Sequence, residues 1–154
     1  MEDGHTGSSR CGIDTVEIAR MERLLAETPV ADLSKLFSAQ ELADSGEGPG
    51  RAASLAARFV AKEACGNLFP RELALGQIEL ADFSVVRDHY GAPRAVLSSI
   101  AQAVLARHGL RGIALSLTHD RTRASAVALG EPAERAEFAV PAAGRFLSRG
   151  APPD

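Results

Sequence analysis

The segment RAASLAARFVAKEACGNLF, residues 51–69, carries the longest helical pattern of the chain and decides its fold. Its apolar side chains recur at helical spacing, so the pattern predicts a helix with an inward stripe that runs from Ala52 to Val60. The next residue on that stripe is Glu63, where an apolar side chain is expected. Pro70 predicts the end of the helix, because proline cannot continue the backbone hydrogen bonds. The segment therefore predicts a core helix that brings a carboxylate into the interior.

The first half of the chain places a strand and two further helices before this segment. CGIDTVEI, residues 11–18, has the alternation of a short strand and runs directly into IARMERLLAET, whose apolar residues have helical spacing. Ser38 and Glu41 stand at capping-box spacing and predict the start of a short helix. SGEGPG, residues 45–50, is a loop that leads into the long helix.

The second half predicts two hairpins. FSVVRD and PRAVL flank the turn HYGA, and GIALSLTHD and ASAVALG flank RTR. Between them SSIAQAVLARHG has a serine N-cap and a glycine exit, which are typical of a helix. Two antiparallel hairpins, a first strand and three or four helices predict an α+β fold in which helices cover one face of a mostly antiparallel sheet.

Composition and charge limit the function classes. The chain has 154 residues, 45% of them hydrophobic and 24% charged, which is typical of one globular domain. We expect that domain at residues 11–130, with loosely ordered tails at 1–10 and 131–154, which lack periodicity. The net charge of -3 and the scarcity of aromatic residues argue against a nucleic-acid partner. The sequence has no apolar run of roughly 20 residues and no signal-peptide pattern. We therefore expect a cytoplasmic protein with no membrane partner.

Two carboxylates occupy positions that favour other residue types. Asp14 lies inside the predicted first strand, where aspartate is disfavoured, unless it forms a turn or caps the next helix. Glu63 lies on the inward stripe, unless the helix is half buried and its carboxylate reaches water. Together they suggest a site for magnesium, which is commonly held by one or two carboxylates with waters and phosphate oxygens. Lys62 could supply positive charge to a phosphate or a proton to a leaving group, although a solvated lysine is the commoner case.

Two further segments offer groups that could bind a phosphate or a ribose. SLTHD, residues 116–120, presents Ser116, Thr118 and His119 at the mouth of the second hairpin, where a polar turn is the alternative interpretation. Ser116 and Thr118 share one strand face and His119 has the other, which argues against a Ser/His/Asp triad. The first hairpin contains Pro93, whose ring offers a flat apolar surface.

The chain resembles the holo-acyl-carrier-protein synthase type of 4'-phosphopantetheinyl transferase. The resemblance rests on five segments in this order: GIDTVEIAR, LFSAQEL, ARFVAKEA, RDHYGAPRAVL and LSLTHD. The similarity covers residues 11–130. It implies transfer of the phosphopantetheine arm of coenzyme A to a serine of an acyl carrier protein, with magnesium, in fatty acid or polyketide synthesis. It also implies a homotrimer with sites between subunits.

The resemblance also implies roles for individual residues. Asp14 and Glu63 correspond to the metal carboxylates, and Lys62 to a lysine near the pyrophosphate. The implied coenzyme A contacts are Pro93, Ser116, Thr118 and, above all, His119. The implied carrier-protein contacts are Arg20 and Arg23, which an acidic enzyme needs as a local basic patch for an acidic partner.

One position departs from the family pattern. Family members commonly have a second lysine four residues after the metal glutamate, and this chain has Asn67 there. Asn67 lies on the same helical face as Glu63, so we include it among the coenzyme A positions although it lacks the positive charge. This departure leaves a second hypothesis, a non-catalytic or repurposed family member that binds a carrier protein or a carrier-bound polyketide.

Overall fold

A computed structural model describes residues 10–69 and 76–133. The predicted tails, apart from Arg10 and residues 131–133, lie outside the described residues, and so does Pro70. The strands and helices, in chain order, are β1 (Arg10–Glu17), α1 (Ile18–Glu27), α2 (Val30–Leu33), α3 (Ala39–Asp44), α4 (Arg51–Gly66), a 3-10 turn (Leu80–Asp82), β2 (Phe83–Arg87), β3 (Pro93–Leu97), α5 (Ser99–Arg107), β4 (Leu110–His119) and β5 (Arg123–Pro132).

The α+β prediction is confirmed, with the strands divided between two sheets. β1, β5 and β4 form an antiparallel sheet in that order, and β2 pairs with β3 in a separate hairpin. Both hairpins turn where the sequence predicts, at HYGA and at RTR. In the three-stranded sheet Asp14 pairs with Ala126, which pairs in turn with Leu117. Since directly paired residues share a face, this register fixes which side chains lie together.

Helix α4 packs against the inner face of the three-stranded sheet. The strand β5 lines that face with Ala124, Ala126 and Ala128, all of them buried. These small side chains let the helix approach the sheet closely. The opposite, outer face of the sheet carries Ile13 and Leu129, which are 68% and 49% exposed. The predicted arrangement, with helices over one face of the sheet, is therefore present.

The predicted inward stripe of α4 is confirmed at Leu55, Ala56 and Val60, which are buried, and is wrong at Phe59 and Glu63, which lie on the least buried side. The helix contacts both sheets and α1, so from Leu55 onward it is buried on nearly every side. Its least buried stripe is Phe59, Glu63 and Asn67, spaced four residues apart. Glu63 is half-buried on this stripe, and its neighbour Lys62 is fully buried instead.

The ends of the helices agree with the sequence prediction at two caps and differ at one. Ser38 and Glu41 form the predicted capping box, and the Ser98 hydroxyl accepts a hydrogen bond from the amide of Ala101 at the start of α5. Helix α4 ends at Gly66, three residues before the predicted end, because the chain tightens into a turn in which the Leu68 amide donates to the Cys65 carbonyl. In the described ranges, every helix is too short or too polar to cross a bilayer.

Candidate active site

Asp14 and Glu63 meet where β1 crosses the end of α4. Asp14 lies half-buried on the inner face of the sheet, and Glu63 lies half-buried on the helix. The crossing is close because residue 12 is glycine: a Cβ at Gly12 would stand 2.0 Å from the carbonyl oxygen of Ala64. The residue without a side chain thus lets a strand carboxylate and a helix carboxylate share one site.

The environment of Glu63 disfavours its ionised form. Burial raises the pKa of Glu63, the negative charge of Asp14 raises it further, and the guanidinium of Arg20 opposes the change. A cation between the carboxylates would relieve their repulsion. Arg20, on α1, already supplies part of that positive charge.

The pair fits a magnesium ion by the chemistry of its donors. Magnesium prefers hard oxygen ligands and is usually held by one or two carboxylates, with waters and substrate phosphates in the remaining positions. Within residues 10–69 and 76–133 no third His, Cys, Asp or Glu joins this pair. The two carboxylates would therefore leave most of the coordination shell to phosphate oxygens and water.

Asn67, which follows Glu63 on the least buried stripe of α4, makes a hydrogen bond to β1. Its side-chain amide donates a hydrogen bond of 3.0 Å to the carbonyl oxygen of Ile13, between Gly12 and Asp14 on β1. The side chain is exposed and neutral. Asn67 therefore ties the end of α4 to β1 and adds no charge for a phosphate.

Lys62 is buried between α4 and α3 and is not open to this site, and its predicted role near a pyrophosphate stays a prediction. Its side chain is wholly buried, and its ammonium donates to the carboxylate of Glu41 at 2.7 Å and to the carbonyl of Leu36 at 2.5 Å. Burial lowers the pKa of Lys62, and the Glu41 carboxylate opposes that change. The solvated lysine, the other interpretation of this position, is excluded.

The predicted coenzyme A residues lie on different surfaces of one chain. Ser116 pairs with Val127, and Thr118 pairs with Ser125, so both side chains lie on the outer face, away from Asp14. His119 lies on the inner face at the exposed end of β4. It is two strands from β1, about 10 Å at ordinary strand spacing. One chain therefore does not bring Ser116 and Thr118 to the carboxylates.

A second charged site, which the sequence analysis missed, lies between α3, α4 and β2. A cavity of about 600 Å³ is lined by Gln40, Asp44, Ser54, Arg58, Val86 and Arg87. Arg58 is 6% exposed, and its Nε finds no hydrogen-bond partner among the described residues. Burial lowers the pKa of Arg58, Asp44 and Glu41 oppose this, and Arg87 adds to it. An anion in the cavity would satisfy the buried guanidinium and relieve the repulsion between the two arginines.

Pro93 adjoins this cavity, because it pairs with Arg87 across the β2–β3 hairpin. The sequence contains one signal for the cavity. Arg58 and Lys62 are two cations one turn apart in a helix that is otherwise largely apolar, a spacing that places both on one face.

Arg20 and Arg23, the predicted carrier-protein contacts, are both exposed on α1. Arg20 is also the arginine that opposes the raised pKa of Glu63. The predicted basic patch therefore begins at the edge of the carboxylate site.

Comparison with known proteins identifies the family. The profile of the ACPS group of the 4'-phosphopantetheinyl transferase superfamily matches residues 10–130. This chain belongs to that superfamily. It is 40% identical over 121 residues to the holo-[acyl-carrier-protein] synthase of Treponema denticola, an alignment that covers 78% of this chain and 95% of the relative. The predicted family and enzyme class, holo-[acyl-carrier-protein] synthase, are both confirmed.

Solved structures of such synthases share the fold. The Neisseria meningitidis enzyme superposes with a TM-score of 0.68 at 22% identity and covers 79% of this chain and 97% of its own. The Helicobacter pylori enzyme, solved in complex with coenzyme A, superposes with a TM-score of 0.65 at 23% identity and covers 79% of this chain and 99% of its own. At these identities the likeness establishes the fold.

Proposed function

We propose that this chain transfers the 4'-phosphopantetheine group of coenzyme A to a serine of an acyl carrier protein, in a magnesium-dependent reaction. The observation that carries the proposal is the pair of half-buried carboxylates, Asp14 and Glu63, in a chain of this family. The family catalyses transfer of a phosphoryl-linked group, and two carboxylates can hold the hard cation that such a transfer uses.

Asp14 and Glu63 would hold the magnesium ion between β1 and α4. When bound, the ion supplies positive charge to the pyrophosphate of coenzyme A as its P–O bond breaks. Asp14 is held by the strand, and Glu63 by the packed helix, so neither carboxylate depends on a loop for its position. Arg20 adds positive charge at the edge of the same site.

The arginine cavity is the proposed site for a phosphate of coenzyme A. Arg58 and Arg87 provide two guanidinium groups, and the adjoining Pro93 provides an apolar surface for the adenine ring. This cavity would supply the phosphate-binding charge that Asn67 does not supply. His119, Ser116 and Thr118 remain proposed contacts to the same molecule.

Replacing Arg87 by glutamine is expected to raise the KM for coenzyme A about tenfold, because one charge-assisted hydrogen bond to a phosphate is lost. Steady-state kinetics with varied coenzyme A at saturating carrier protein would measure this. Arg107→Gln, at an exposed arginine on α5, is the matched control and should leave that KM unchanged. An unchanged KM in Arg87→Gln would contradict the proposal that a phosphate of coenzyme A binds in this cavity.

The proposed assembly is a homotrimer in which neighbouring subunits complete each site. Two observations support it: Ile13 and Leu129 expose an apolar surface on the outer sheet face, and Ser116 and Thr118 lie on that face, away from Asp14. A second subunit on this face would cover the apolar surface and could bring its Ser116 and Thr118 to a partner's substrate. Light scattering should give three times the chain mass of 16.1 kDa. A monomer under assay conditions would contradict the shared site.

The proposed carrier-protein surface is α1, where Arg20 and Arg23 are exposed. Acyl carrier proteins are acidic, so these arginines would orient the incoming serine toward the carboxylate pair. Coenzyme A and the carrier protein are used in the cytoplasm, which is the proposed location.

Incubation of the chain with coenzyme A, magnesium and apo carrier proteins tests the proposal. One phosphopantetheine should be added to a carrier protein, as measured by intact mass, and chelation of magnesium should stop the addition. No addition to any member of a broad panel of fatty acid and polyketide carrier proteins would contradict it.

The second candidate, a non-catalytic or repurposed relative that binds a carrier protein or a carrier-bound polyketide, is favoured by one observation. The side-chain amide of Asn67 donates its hydrogen bond to the carbonyl oxygen of Ile13. In the family pattern a second lysine occupies position 67 and would contact a phosphate. Calorimetry with coenzyme A and magnesium separates the two candidates. The transferase should bind coenzyme A with substrate-like affinity, whereas the alternative requires binding of the carrier protein alone.

A further inference from the structure

Glu41 and Lys62 form a fully buried ion pair that the proposed chemistry does not use. Both side chains are 0% exposed, and the Glu41 Oε2 to Lys62 Nζ distance is 2.7 Å. Isolated buried charges are strongly unfavourable, so such a pair persists only where further hydrogen bonds satisfy both partners. The surroundings of Glu41 and Lys62 meet this condition.

The carboxylate of Glu41 joins three elements. Its Oε2 accepts from the Ser38 amide at 2.8 Å, which closes the capping box of α3, and also from Lys62 on α4. Its Oε1 accepts from the amide of Val85, on β2, at 2.7 Å. Lys62 in turn donates to the Leu36 carbonyl. The pair therefore links α4 to α3, to β2 and to the chain before α3 by directional bonds.

These directional bonds matter because the side of α4 that faces β5 packs through small side chains. Ala57, Ala61 and Ala64 are all buried on this helix, and the facing strand β5 contributes alanines as well. Surfaces of alanine permit close approach but have few ridges to resist rotation of the helix about its axis. The bonds of Glu41 and Lys62 therefore add a constraint on the rotation of α4 that these alanine contacts do not provide.

We propose that Glu41 is a positioning residue of the active site: through its ion pair with Lys62 it fixes the rotation of α4 and holds Glu63 beside Asp14. This inference rests on the proposed function, in which Glu63 is a metal carboxylate. Lys62 and Glu63 are consecutive on the helix and point about 100° apart, so anchoring one side chain sets the direction of the other.

The magnitude of the effect follows from helix geometry. A side chain at the outer radius of a helix, about 5–6 Å from the axis, moves by roughly 2 Å when the helix rotates by about 20°. Catalytic groups need to be held within about 0.5 Å of their productive positions. A small rotation would therefore separate Glu63 from Asp14 while the fold stays intact.

The experiment tests Glu41→Gln, Lys62→Met and the variant that carries both changes. The control is Val104→Ala, which should destabilise the protein elsewhere, because Val104 lies on α5 and this helix packs on β3 and β4. Magnesium affinity by calorimetry, kcat and the KM for coenzyme A would be measured below every melting transition. Each pair variant should weaken magnesium binding about tenfold or more and lower kcat, with the KM for coenzyme A unchanged. Val104→Ala should lower the Tm and keep the affinity of the wild type.

The double variant keeps the proposal testable if a single variant fails to fold. It removes both charges together, so no unpaired charge stays buried, and it is expected to fold. Wild-type magnesium affinity and kcat in the folded double variant would overturn the proposal. Loss of kcat or a raised KM for coenzyme A with magnesium affinity intact would also overturn it, because that result makes Lys62 a substrate contact.

A crystal structure of the double variant, without metal, separates this inference from the proposed function. The distance between the Asp14 and Glu63 carboxylates should increase by about 1 Å or more relative to the wild type. An unchanged distance overturns the positioning role. Failure of the wild-type chain to bind magnesium would instead refute the metal site, and the structural comparison would still decide the role of Glu41.

Discussion

Glu63→Gln is expected to lower kcat by roughly 100-fold or more and to weaken magnesium binding, while the folded protein keeps or increases its thermal stability. The loss arises because one of the two carboxylates at the site no longer carries charge for the cation. A roughly 100-fold effect matches the loss of one electrostatic group that acts on a transition state. Mass-addition kinetics and calorimetry with magnesium would measure the two losses.

The stability part of this prediction follows from the direction of the pKa change. Burial and Asp14 raise the pKa of Glu63 above its ordinary value. The ionised carboxylate is therefore less favourable in the folded chain than in the unfolded chain, and stability falls as the pH rises through the raised pKa. Glutamine removes this penalty, so the Tm of the metal-free variant near pH 8 should equal or exceed that of the wild type.

Glu47→Gln is the control, since Glu47 is an exposed glutamate in the loop before α4. It should leave kcat, magnesium affinity and Tm unchanged. Asp14→Asn should reproduce the losses seen in Glu63→Gln. Full activity in Glu63→Gln would show that Glu63 is not a metal carboxylate, whereas lost activity with a greatly lowered Tm would show that it is a structural residue.

Local sequence patterns predicted most of the fold because each of them depends on near neighbours. The two hairpins, the capping box at Ser38 and the serine cap at Ser98 all lie where the sequence indicates. Asp14 is unusual in the sequence alone because aspartate is rare inside strands. These features require no knowledge of how the elements pack together.

The phase of α4 could not be predicted in the same way. A single apolar stripe describes a surface helix, whereas this helix is covered on nearly all sides and its alanines are compatible with either orientation. Glu63 is the charge that the apolar stripe indicates as misplaced, although the fully buried charge is Lys62. The sequence indicates its partner Glu41 only as a cap, because the contact with Lys62 spans 21 residues and depends on tertiary packing.

The division of the site between surfaces also depends on tertiary structure. The alternation in SLTHD predicts that Ser116 and His119 face opposite ways, but the pairing with β5 decides which of them shares a face with Asp14. The cavity of Arg58 and Arg87 likewise forms only when β2 lies beside α4. The spacing of Arg58 and Lys62 indicates a charged face on α4, but no local pattern shows that Arg87 lies opposite it or which face of the sheet carries Asp14.

Gly12→Ala is expected to destabilise the protein by about 3 kcal/mol and to remove magnesium binding, because the added methyl group would separate β1 from α4. Its Cβ would stand 2.0 Å from the Ala64 carbonyl oxygen and 3.2 Å from the Cβ of Asn67. The first of these atoms belongs to a helix backbone, so one element has to move. Denaturant unfolding and calorimetry would measure the two effects.

Gly66→Ala gives the matched control at the end of the same helix. A Cβ at Gly66 meets no atom of the described residues within 4 Å, and alanine is the better helix former by about 0.5–1 kcal/mol. This variant should therefore be at least as stable as the wild type and bind magnesium normally. If Gly12→Ala also retains wild-type stability and affinity, the close crossing of β1 over α4 does not hold Asp14 and Glu63 together. If instead it loses affinity at temperatures where it is folded, the distance between strand and helix determines the site.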